Sequence, residues 1–228
     1  MLKGVLFDAA GVLYQRPQST GQFVADRLRE RGLPTELTEE DRLRQKALKS
    51  EGSRGRISPE EYWDRVLQMH GLDDPEERQR LMAAIDRHSD DVRPMPGCQE
   101  TLAGLKQRGL ILCIVTDTMH SLEHKMQWLV KAGIAPWIDF VACSTVLGVH
   151  KPDPAIYLDA LRQAGLSADE AAFVGHDAEE LDGARAVGLA TIAVNHDPGA
   201  RADYYLGLLT DLLNVPILRD TDEQGGSE

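Results

Sequence analysis

The sequence predicts an α/β protein with a doubly wound parallel sheet and an inserted all-helical domain, and three observations carry that prediction. The first is a set of five short apolar runs separated by helical patterns. They are KGVLFD (3–8), LILCIVT (110–116), FVACS (140–144), AAFVG (171–175) and LATIAV (189–194). Continuous apolar strands that alternate with amphipathic helices indicate βαβ units, whose parallel sheet is covered on both faces.

The second observation is a long stretch without any strand-like run, between positions 14 and 91. It carries four helical segments instead, GQFVADRLRERG, EEDRLRQKALKSEG, SPEEYWDRVLQMHG and PEERQRLMAAIDRH. Ser58, followed three residues later by Glu61, is a strong helix-start signal. The sequence therefore predicts that residues 15–91 form an all-helical domain inserted after the first strand.

The third observation is the turn RPMPG (93–97), whose two prolines and glycine mark the return of the chain into the α/β core. The segment RADYYLGLLTDLL (201–213) is predicted to be a final helix. The polar residues 219–228 are expected to be a frayed tail. The predicted core is thus built from residues 1–14 and 92–218.

Composition limits the partners that this chain can have. Its 228 residues carry a formal charge of −12, so nucleic acid and anionic membranes are not expected to bind. No apolar run approaches the roughly 20 residues needed to span a bilayer. Three cysteines without CxxC spacing are typical of reduced, buried thiols. We expect a cytoplasmic protein that is a monomer or a homodimer.

Polar residues at the strand ends are the candidate site residues, because ligands of a doubly wound sheet bind beyond the carboxyl ends of its strands. Asp8 ends the first strand in VLFDAAGVLY, where Gly11 allows a sharp turn. A carboxylate at that point could attack an electrophile covalently, or it could cap the turn. Ala10, two positions later, has no side-chain chemistry.

Thr116 and Asp117 end the second strand, where the threonine hydroxyl could donate to a substrate oxyanion or cap the next helix. Lys151, in VHKPDPAIY, lies beside a helix amino terminus and is either part of an anion site or a solvated surface lysine. The segment VGHDAEELDGARAVG places His176, Asp177 and Glu180 directly after a strand. These groups either complement the helix dipole or form a metal or water site.

In this order and spacing the motifs resemble the haloacid dehalogenase (HAD) superfamily over nearly the whole chain. The most specific part is KPDPAIY followed by FVG and GARAVG. The resemblance implies that Asp8 is a nucleophile which forms a covalent ester that water later hydrolyses. It also implies that Thr116 and Lys151 orient Asp8 and stabilise charge. The helical insertion corresponds to the small cap domain of that family.

Two departures from the phosphatases of that family narrow the expected chemistry. Ala10 stands where they carry a second aspartate, which protonates the leaving alcohol, and such general acid–base help is worth roughly 10²–10⁴-fold. His176 stands where they carry an aspartate of the Mg²⁺ site, and histidine is a poor magnesium ligand. Asp8 and Asp177 remain as candidate metal ligands, so that Mg²⁺ is an optional cofactor and not a required one.

Both departures agree with the 2-haloacid dehalogenase branch, because halide leaves without a proton and a small monoanionic carboxylate substrate needs no divalent ion. Compared with that branch, Glu180 stands at the position of the water-activating aspartate. The resemblance thus implies that Glu180 or Asp177, together with His176, activates the water of the second step. Arg44 is the candidate cap residue for the substrate carboxylate, although a solvated helix face also explains it. The candidate substrate contacts are Ala10, Arg44, Asp117 and His176.

Other functions stay open at this point. Phosphonoacetaldehyde hydrolases also carry alanine two residues after the nucleophile and use a cap lysine, for which Lys46 and Lys49 are available. A Mg²⁺-dependent phosphatase of small phosphorylated metabolites is another alternative, and a good leaving group, such as that of an acyl phosphate, would remove the need for the missing acid. A non-catalytic binding or regulatory protein with this fold is the alternative from another class.

Overall fold

The computed structural model describes residues 2–218, so the predicted tail at 219–228 lies outside the described residues. The elements follow one another along the chain in this order: β1 (Gly4–Phe7), β2 (Tyr14–Gln15), α1 (Thr20–Arg29), α2 (Glu39–Ser53), α3 (Pro59–Met69), α4 (Pro75–Ser89), β3 (Arg93–Pro94), α5 (Cys98–Gln107), β4 (Ile111–Thr116), α6 (Leu122–Lys131), β5 (Phe140–Cys143), α7 (Ser144–Leu147), α8 (Pro154–Ala164), β6 (Ala171–Gly175), α9 (Ala178–Ala186), β7 (Ala190–Val194) and β8 (Tyr204–Leu206).

Six parallel strands form the main sheet in the order β5-β4-β1-β6-β7-β8. β1 lies inside the sheet between β4 and β6, and all four of its residues are buried. Its Phe7 is in register with Ile114 of β4 and with Val174 of β6. The five predicted strands are all present, and the predicted α/β class is confirmed.

The predicted helix at 201–213 is wrong. Residues 204–206 form the edge strand β8, and a short 3₁₀ helix at Leu209–Asn214 follows it. Asp203 holds β8 in place, because its carboxylate accepts hydrogen bonds from both the backbone N–H and the hydroxyl of Thr191 in β7. The aromatic pair at 204–205 has a high strand propensity, and this propensity together with strand pairing overrides the helical spacing of the leucines.

Helices cover both faces of the sheet, as the sequence predicts. On one face α6 buries Leu129 in an apolar cluster with Phe7 of β1. On the other face α8 and α9 bury Tyr157 and Leu181 in a cluster with Leu6. Leu6 and Phe7 are neighbours in one strand, and successive side chains of a strand point to opposite faces. One strand therefore anchors both layers of helices.

Helices α1–α4, between β2 and β3, form what we call the cap. In α1, α3 and α4 apolar side chains such as Leu28, Leu67 and Ile85 pack into a separate cluster. α2 is different, because its buried residues, Gly52 and Ser53, lie at its C-terminal end. The exact cap boundaries, 15 and 91, stay a prediction. In the described part of the chain, no helix is both long and apolar enough to span a membrane.

A strand ribbon and the C-terminal end of α2 are two of the contacts that join the cap to the core. β2 and β3 form a two-stranded antiparallel ribbon, through which the chain passes on its way into and out of the cap. The C-terminal end of α2 rests on the core, where Ser50 Oγ lies 3.0 Å from His150 Nε2. A Cβ atom at Gly52 would lie 2.7 Å from Met119 Sδ, so glycine permits this close approach.

Candidate active site

The candidate site lies where the carboxyl ends of β4, β1 and β6 meet. Asp8 directly follows β1, Thr116 is the last residue of β4, and His176 directly follows β6. Because β1 lies between the other two strands, Asp8 is at the centre of the group. This is the edge of a doubly wound sheet at which ligands bind.

Lys151 joins the two carboxylates of the site. Its Nζ donates to Asp8 Oδ1 at 2.5 Å and to Glu180 Oε2 at 2.8 Å. Burial alone would favour the neutral form of Asp8, but Lys151 and His176 outweigh it and lower the pKa of Asp8 to about 2. Burial also opposes the charge of Lys151, yet the two carboxylates raise its pKa above the ordinary value. Asp8 is therefore ionised at neutral pH, as a nucleophile must be.

Glu180 has the properties of a general base. Burial raises its pKa to about 7, the negative charge of Asp8 adds to this, and Lys151 opposes it. A base is most effective when its pKa is near the working pH. The first turn of α9 places this residue, and the Tyr157 hydroxyl of α8 donates to its backbone carbonyl at 2.8 Å. The backbone of Glu180 is thus held by two helices beside Asp8.

His176 lies on the other side of Asp8. Its Nε2 is 3.4 Å from Asp8 Oδ2 and 3.2 Å from the carbonyl oxygen of Ala10. The hydrogen bond with Asp8 raises the pKa of His176 to about 8, although burial opposes the charged form. The imidazole ring therefore occupies the space between Asp8 and the turn that follows it. Gly11 in that turn has φ of 83°, and a Cβ there would lie 3.0 Å from His176 Nε2.

Thr116 ends β4, and Asp117 follows it. Asp117 Oδ1 accepts a hydrogen bond from the backbone N–H of Lys151 at 3.1 Å, and it thus positions the loop that carries the lysine. Burial raises the pKa of Asp117. Thr116 is buried, and its hydroxyl makes only a long contact of 3.5 Å with the carbonyl of Asp117. That hydroxyl is available to donate to a substrate.

Asp177 caps a helix in this structure. Its Oδ1 accepts the backbone N–H of Glu180 at 3.0 Å at the start of α9. Among residues 2–218, no group of three His, Cys, Asp or Glu side chains that includes Asp8 lies close enough to share an ion. The two oxygens of Asp8 face Lys151 and His176, and both neighbours are cations. This donor set does not fit Mg²⁺, which requires an octahedron of oxygen ligands, so the metal pair Asp8 and Asp177 gains no support from the geometry.

Arg44 is not brought to the site. It pairs with Glu40 and Asp41 of its own helix, and the groove beside it is lined by cap residues alone. The part of α2 that touches the core lies near Gly52, and eight helical residues span about 12 Å. The prediction that Arg44 binds substrate is therefore not supported, since the solvated helix face accounts for this residue.

Sequence reasoning missed Lys125, a fully buried lysine of α6. It donates to the Tyr14 hydroxyl of β2 and lies over the rings of Tyr14 and Trp128. A lysine three residues before Trp128 and four before Leu129, on the apolar face of a helix, is the signal that could have found it. Lys125 ties the ribbon at the base of the cap to the core.

Comparisons with known proteins agree with this architecture. The family model of haloacid dehalogenase-like hydrolases matches residues 2–188. A glyceraldehyde 3-phosphate phosphatase of Methanopyrus kandleri is 31% identical over 205 residues, which cover 85% of this chain and 84% of the relative. A second glyceraldehyde 3-phosphate phosphatase, from Methanocaldococcus jannaschii, is 29% identical over 234 residues. These residues cover 94% of this chain and 97% of the relative.

Solved structures share the fold. A crystal structure of a dehalogenase superposes with a TM-score of 0.70 at 22% identity, over 93% of this chain and 96% of the other. The L-2-haloacid dehalogenase of Xanthobacter autotrophicus, with chloropropionic acid covalently bound, gives a TM-score of 0.67 at 21% identity, over 93% of this chain and 97% of the other. At such identities the likeness concerns the fold alone.

Proposed function

This chain belongs to the haloacid dehalogenase-like hydrolases, and from that premise we propose that it hydrolyses a small anionic organic substrate whose leaving group departs without a proton. A 2-haloacid is the substrate class that fits best. Asp8 is the nucleophile, Lys151 and Thr116 orient it and stabilise charge, and Glu180 activates water. The reaction proceeds without a divalent metal.

The observation that carries this proposal is the pairing of His176 with Ala10 beside the nucleophile. His176 Nε2 lies 3.4 Å from Asp8 Oδ2 and 3.2 Å from the Ala10 carbonyl, so an organic cation fills the space there. Ala10 offers no acid for an alkoxide leaving group. His176 Nε2 is already paired with Asp8 and with the Ala10 carbonyl, so we do not assign the role of that acid to it. Departure of halide needs neither an acid nor a metal.

In the first step a carboxylate oxygen of Asp8 attacks C2 of the haloacid. A C–O bond forms, the carbon–halogen bond breaks, and halide leaves with the bonding electron pair. Lys151 keeps Asp8 ionised and oriented through its contact at 2.5 Å. Lys151 and His176 also provide the positive charge that a substrate carboxylate requires. The product of this step is an ester of Asp8.

In the second step water attacks the ester carbonyl of Asp8. Glu180 accepts the proton of that water, since its pKa of about 7 allows it to be a base at neutral pH. The C–O bond between the Asp8 carbonyl and the substrate oxygen breaks, that oxygen takes the second proton of the water, and Asp8 is again a carboxylate. The first proton passes from Glu180 to solvent. One haloacid and one water thus give one 2-hydroxy acid, one halide ion and one proton.

A phosphatase is the second candidate, and the relatives favour it. Both proteins of about 30% identity described above are named glyceraldehyde 3-phosphate phosphatases. A phosphoryl group would need its oxygens neutralised and its leaving alkoxide protonated. His176 and Lys151 supply positive charge that can neutralise the phosphoryl oxygens. Ala10, however, provides no acid to protonate the alkoxide. An acyl phosphate, with its better leaving group, is the phosphorylated substrate that fits this site.

A side-by-side assay decides between the two candidates. Wild type and Asp8→Asn are incubated with 2-chloropropionate, acetyl phosphate and glyceraldehyde 3-phosphate, each with EDTA or with Mg²⁺. We expect Asp8-dependent chloride release that persists in EDTA. Phosphate release that requires both Asp8 and Mg²⁺, without chloride release, would overturn the proposal in favour of the phosphatase.

A further inference from the structure

A second cluster of ligating side chains lies away from the nucleophile, between the cap and the core. Asp86 comes from α4 of the cap, whereas His120 and His124 lie just before and within α6 of the core. One ligating atom from each of the three lies within 4.8 Å of the others. Among the described residues, no other group of three His, Cys, Asp or Glu side chains is close enough to share an ion.

The cluster faces an open cleft. The cleft has a volume of about 550 Å³ and is lined by cap residues such as Trp63 and by the core residues His120 and His124. None of the residues that line it belongs to the group around Asp8. Asp86 is exposed and the two histidines are half-buried, so an ion can enter from solvent. The cluster is therefore distinct from the catalytic site described above.

His124 is already oriented by a carboxylate. Its Nε2 lies 2.8 Å from Asp90 Oδ1, and Asp90 is itself held by Trp128 and Lys131. When Nε2 carries the proton, Nδ1 keeps its lone pair for a metal. Histidines that bind metals usually donate their other N–H to a carboxylate in this way. The two histidine rings pack against Trp128. That packing does not explain why the carboxylate of Asp86, from the cap, lies beside them.

The second histidine is suited to the same role. His120 is half-buried, and its ring packs edge-on against that of His124 with the ring centroids 4.6 Å apart. A neutral imidazole keeps a lone pair on one ring nitrogen, and that nitrogen can bind a metal. Ligand atoms about 2.1 Å from a tetrahedral ion lie about 3.4 Å apart. Side chains whose ligating atoms are already within 4.8 Å of one another reach that spacing by small rotations.

We propose that Asp86, His120 and His124 bind a divalent transition-metal ion of the Zn²⁺ class and thereby tie the cap to the core. Two imidazoles and one carboxylate are a ligand set that suits such ions and not Mg²⁺ or Ca²⁺. Water completes the tetrahedron from the open cleft. The ion connects α4 to α6 and restrains movement of the cap. This inference does not depend on which substrate the site at Asp8 accepts.

Zn²⁺ binding to the full chain tests the proposal by equilibrium dialysis in the presence of excess Mg²⁺, which occupies hard oxygen sites. The variants are Asp86→Asn, His120→Gln and His124→Gln, and the matched controls are Asp91→Asn and His196→Gln, two exposed residues outside the cluster. We expect wild type and controls to bind one equivalent, and each cluster variant to lose about tenfold in affinity or more. Asp86→Asn is at an exposed position, so this variant is expected to fold.

Two results would overturn the proposal. One is the absence of Zn²⁺ binding by wild type, and the other is equal binding by wild type and all three cluster variants. Crystals soaked in Zn²⁺ give an independent measurement. An anomalous peak between Asp86 and the two histidines supports the site, whereas a peak only at Asp8 or at a cysteine contradicts it.

Discussion

The strand ends of the core and helix α2 of the cap both carry many charges, but they hold them differently. In the core, Lys151 contacts both Asp8 and Glu180, and its side chain is 1% exposed. On α2, Arg44 also pairs with two carboxylates, yet its side chain is 60% exposed. Charge interactions are several-fold stronger where water is excluded, whereas exposed pairs contribute at most about 1 kcal/mol. Burial, and not the density of charge in the sequence, thus distinguishes a candidate catalytic group from a solvated helix face.

The largest effect is expected when the buried nucleophile is removed. Asp8→Asn keeps the shape of the side chain but cannot form the ester, so turnover should fall by at least about 10⁴-fold. Initial rates of chloride release measure this, with the far-ultraviolet circular dichroism of the variant as the control for folding. Turnover equal to that of wild type would show that the reaction does not pass through Asp8.

The free energy of unfolding should fall most when Lys151, which pairs with both Asp8 and Glu180, is replaced. Lys151→Met leaves Asp8 and Glu180 buried without their partner, which typically costs about 3–5 kcal/mol of unfolding free energy. The loss should be smaller at pH 5 than at pH 8. Without the lysine the folded carboxylates have raised pKa values and bind protons more tightly than the unfolded chain, so stability rises as pH falls.

Urea unfolding at both pH values measures this difference. Lys46→Met, at an exposed position of α2, is the matched control and should change the unfolding free energy by no more than about 0.5 kcal/mol. Equal losses from the two lysine variants would contradict the comparison between buried and exposed charge.

Glu180, the proposed base, should act only in the hydrolysis of the Asp8 ester. Glu180→Gln should slow hydrolysis of the ester by about 10²–10⁴-fold, so that one equivalent of chloride appears in a burst and the esterified protein accumulates. Intact-protein mass spectrometry detects that species. Glu179→Gln, at the exposed neighbouring position, is the control and should turn over normally. A Glu180→Gln variant without a burst would place its role before ester formation.

His176 should impose the alkaline limit of activity. Its pKa is raised to about 8, so the imidazolium is present below that pH and is lost as pH rises through it. We expect kcat/KM for 2-chloropropionate to fall above pH 8 in wild type. His176→Gln should lower kcat/KM by about tenfold at pH 7 and abolish that fall. If kcat/KM of the variant still fell above pH 8, that fall would be due to a group other than His176.

The smallest effect is expected on the exposed helix. Arg44→Ala removes two exposed ion pairs, so the unfolding free energy should change by less than about 0.5 kcal/mol, and KM for 2-chloropropionate should not change. Thermal unfolding and steady-state kinetics measure both quantities. A several-fold rise in KM would mean that the cap closes further over the substrate than this structure shows.

The sequence predicted those parts of the fold that local pattern determines. Apolar runs marked five of the six strands of the main sheet, and the position of Asp8 after one of them put it at the ligand-binding edge of the sheet. β8 was missed because it is an edge strand whose pairing depends on Asp203 and Thr191, which the leucine spacing of its own segment does not reveal. Strand propensity depends more strongly on tertiary context than helix propensity does.

The motifs predicted that several polar side chains gather at one edge of the sheet, but they did not predict each contact. A sequence cannot tell whether Asp177 points at a ligand or back at the amide of Glu180, because both fit the same spacing. The approach of Asp86 to His120 joins two segments that are far apart in the chain, and no periodicity records it. His120 and His124 are four positions apart, which is the one local signal of that cluster.

The short ribbon of β2 and β3 has a consequence for how such a protein can evolve. Tyr14 faces Pro94 and Gln15 faces Arg93, so the two ends of the intervening segment leave the core side by side. A different cap whose two ends lie close together could be attached at β2 and β3 in the same way. The strands of the core sheet would then keep their present pairing. The cap and the group of residues around Asp8 are therefore structurally separable, and a single exchange of one continuous segment can replace the cap while the core is inherited.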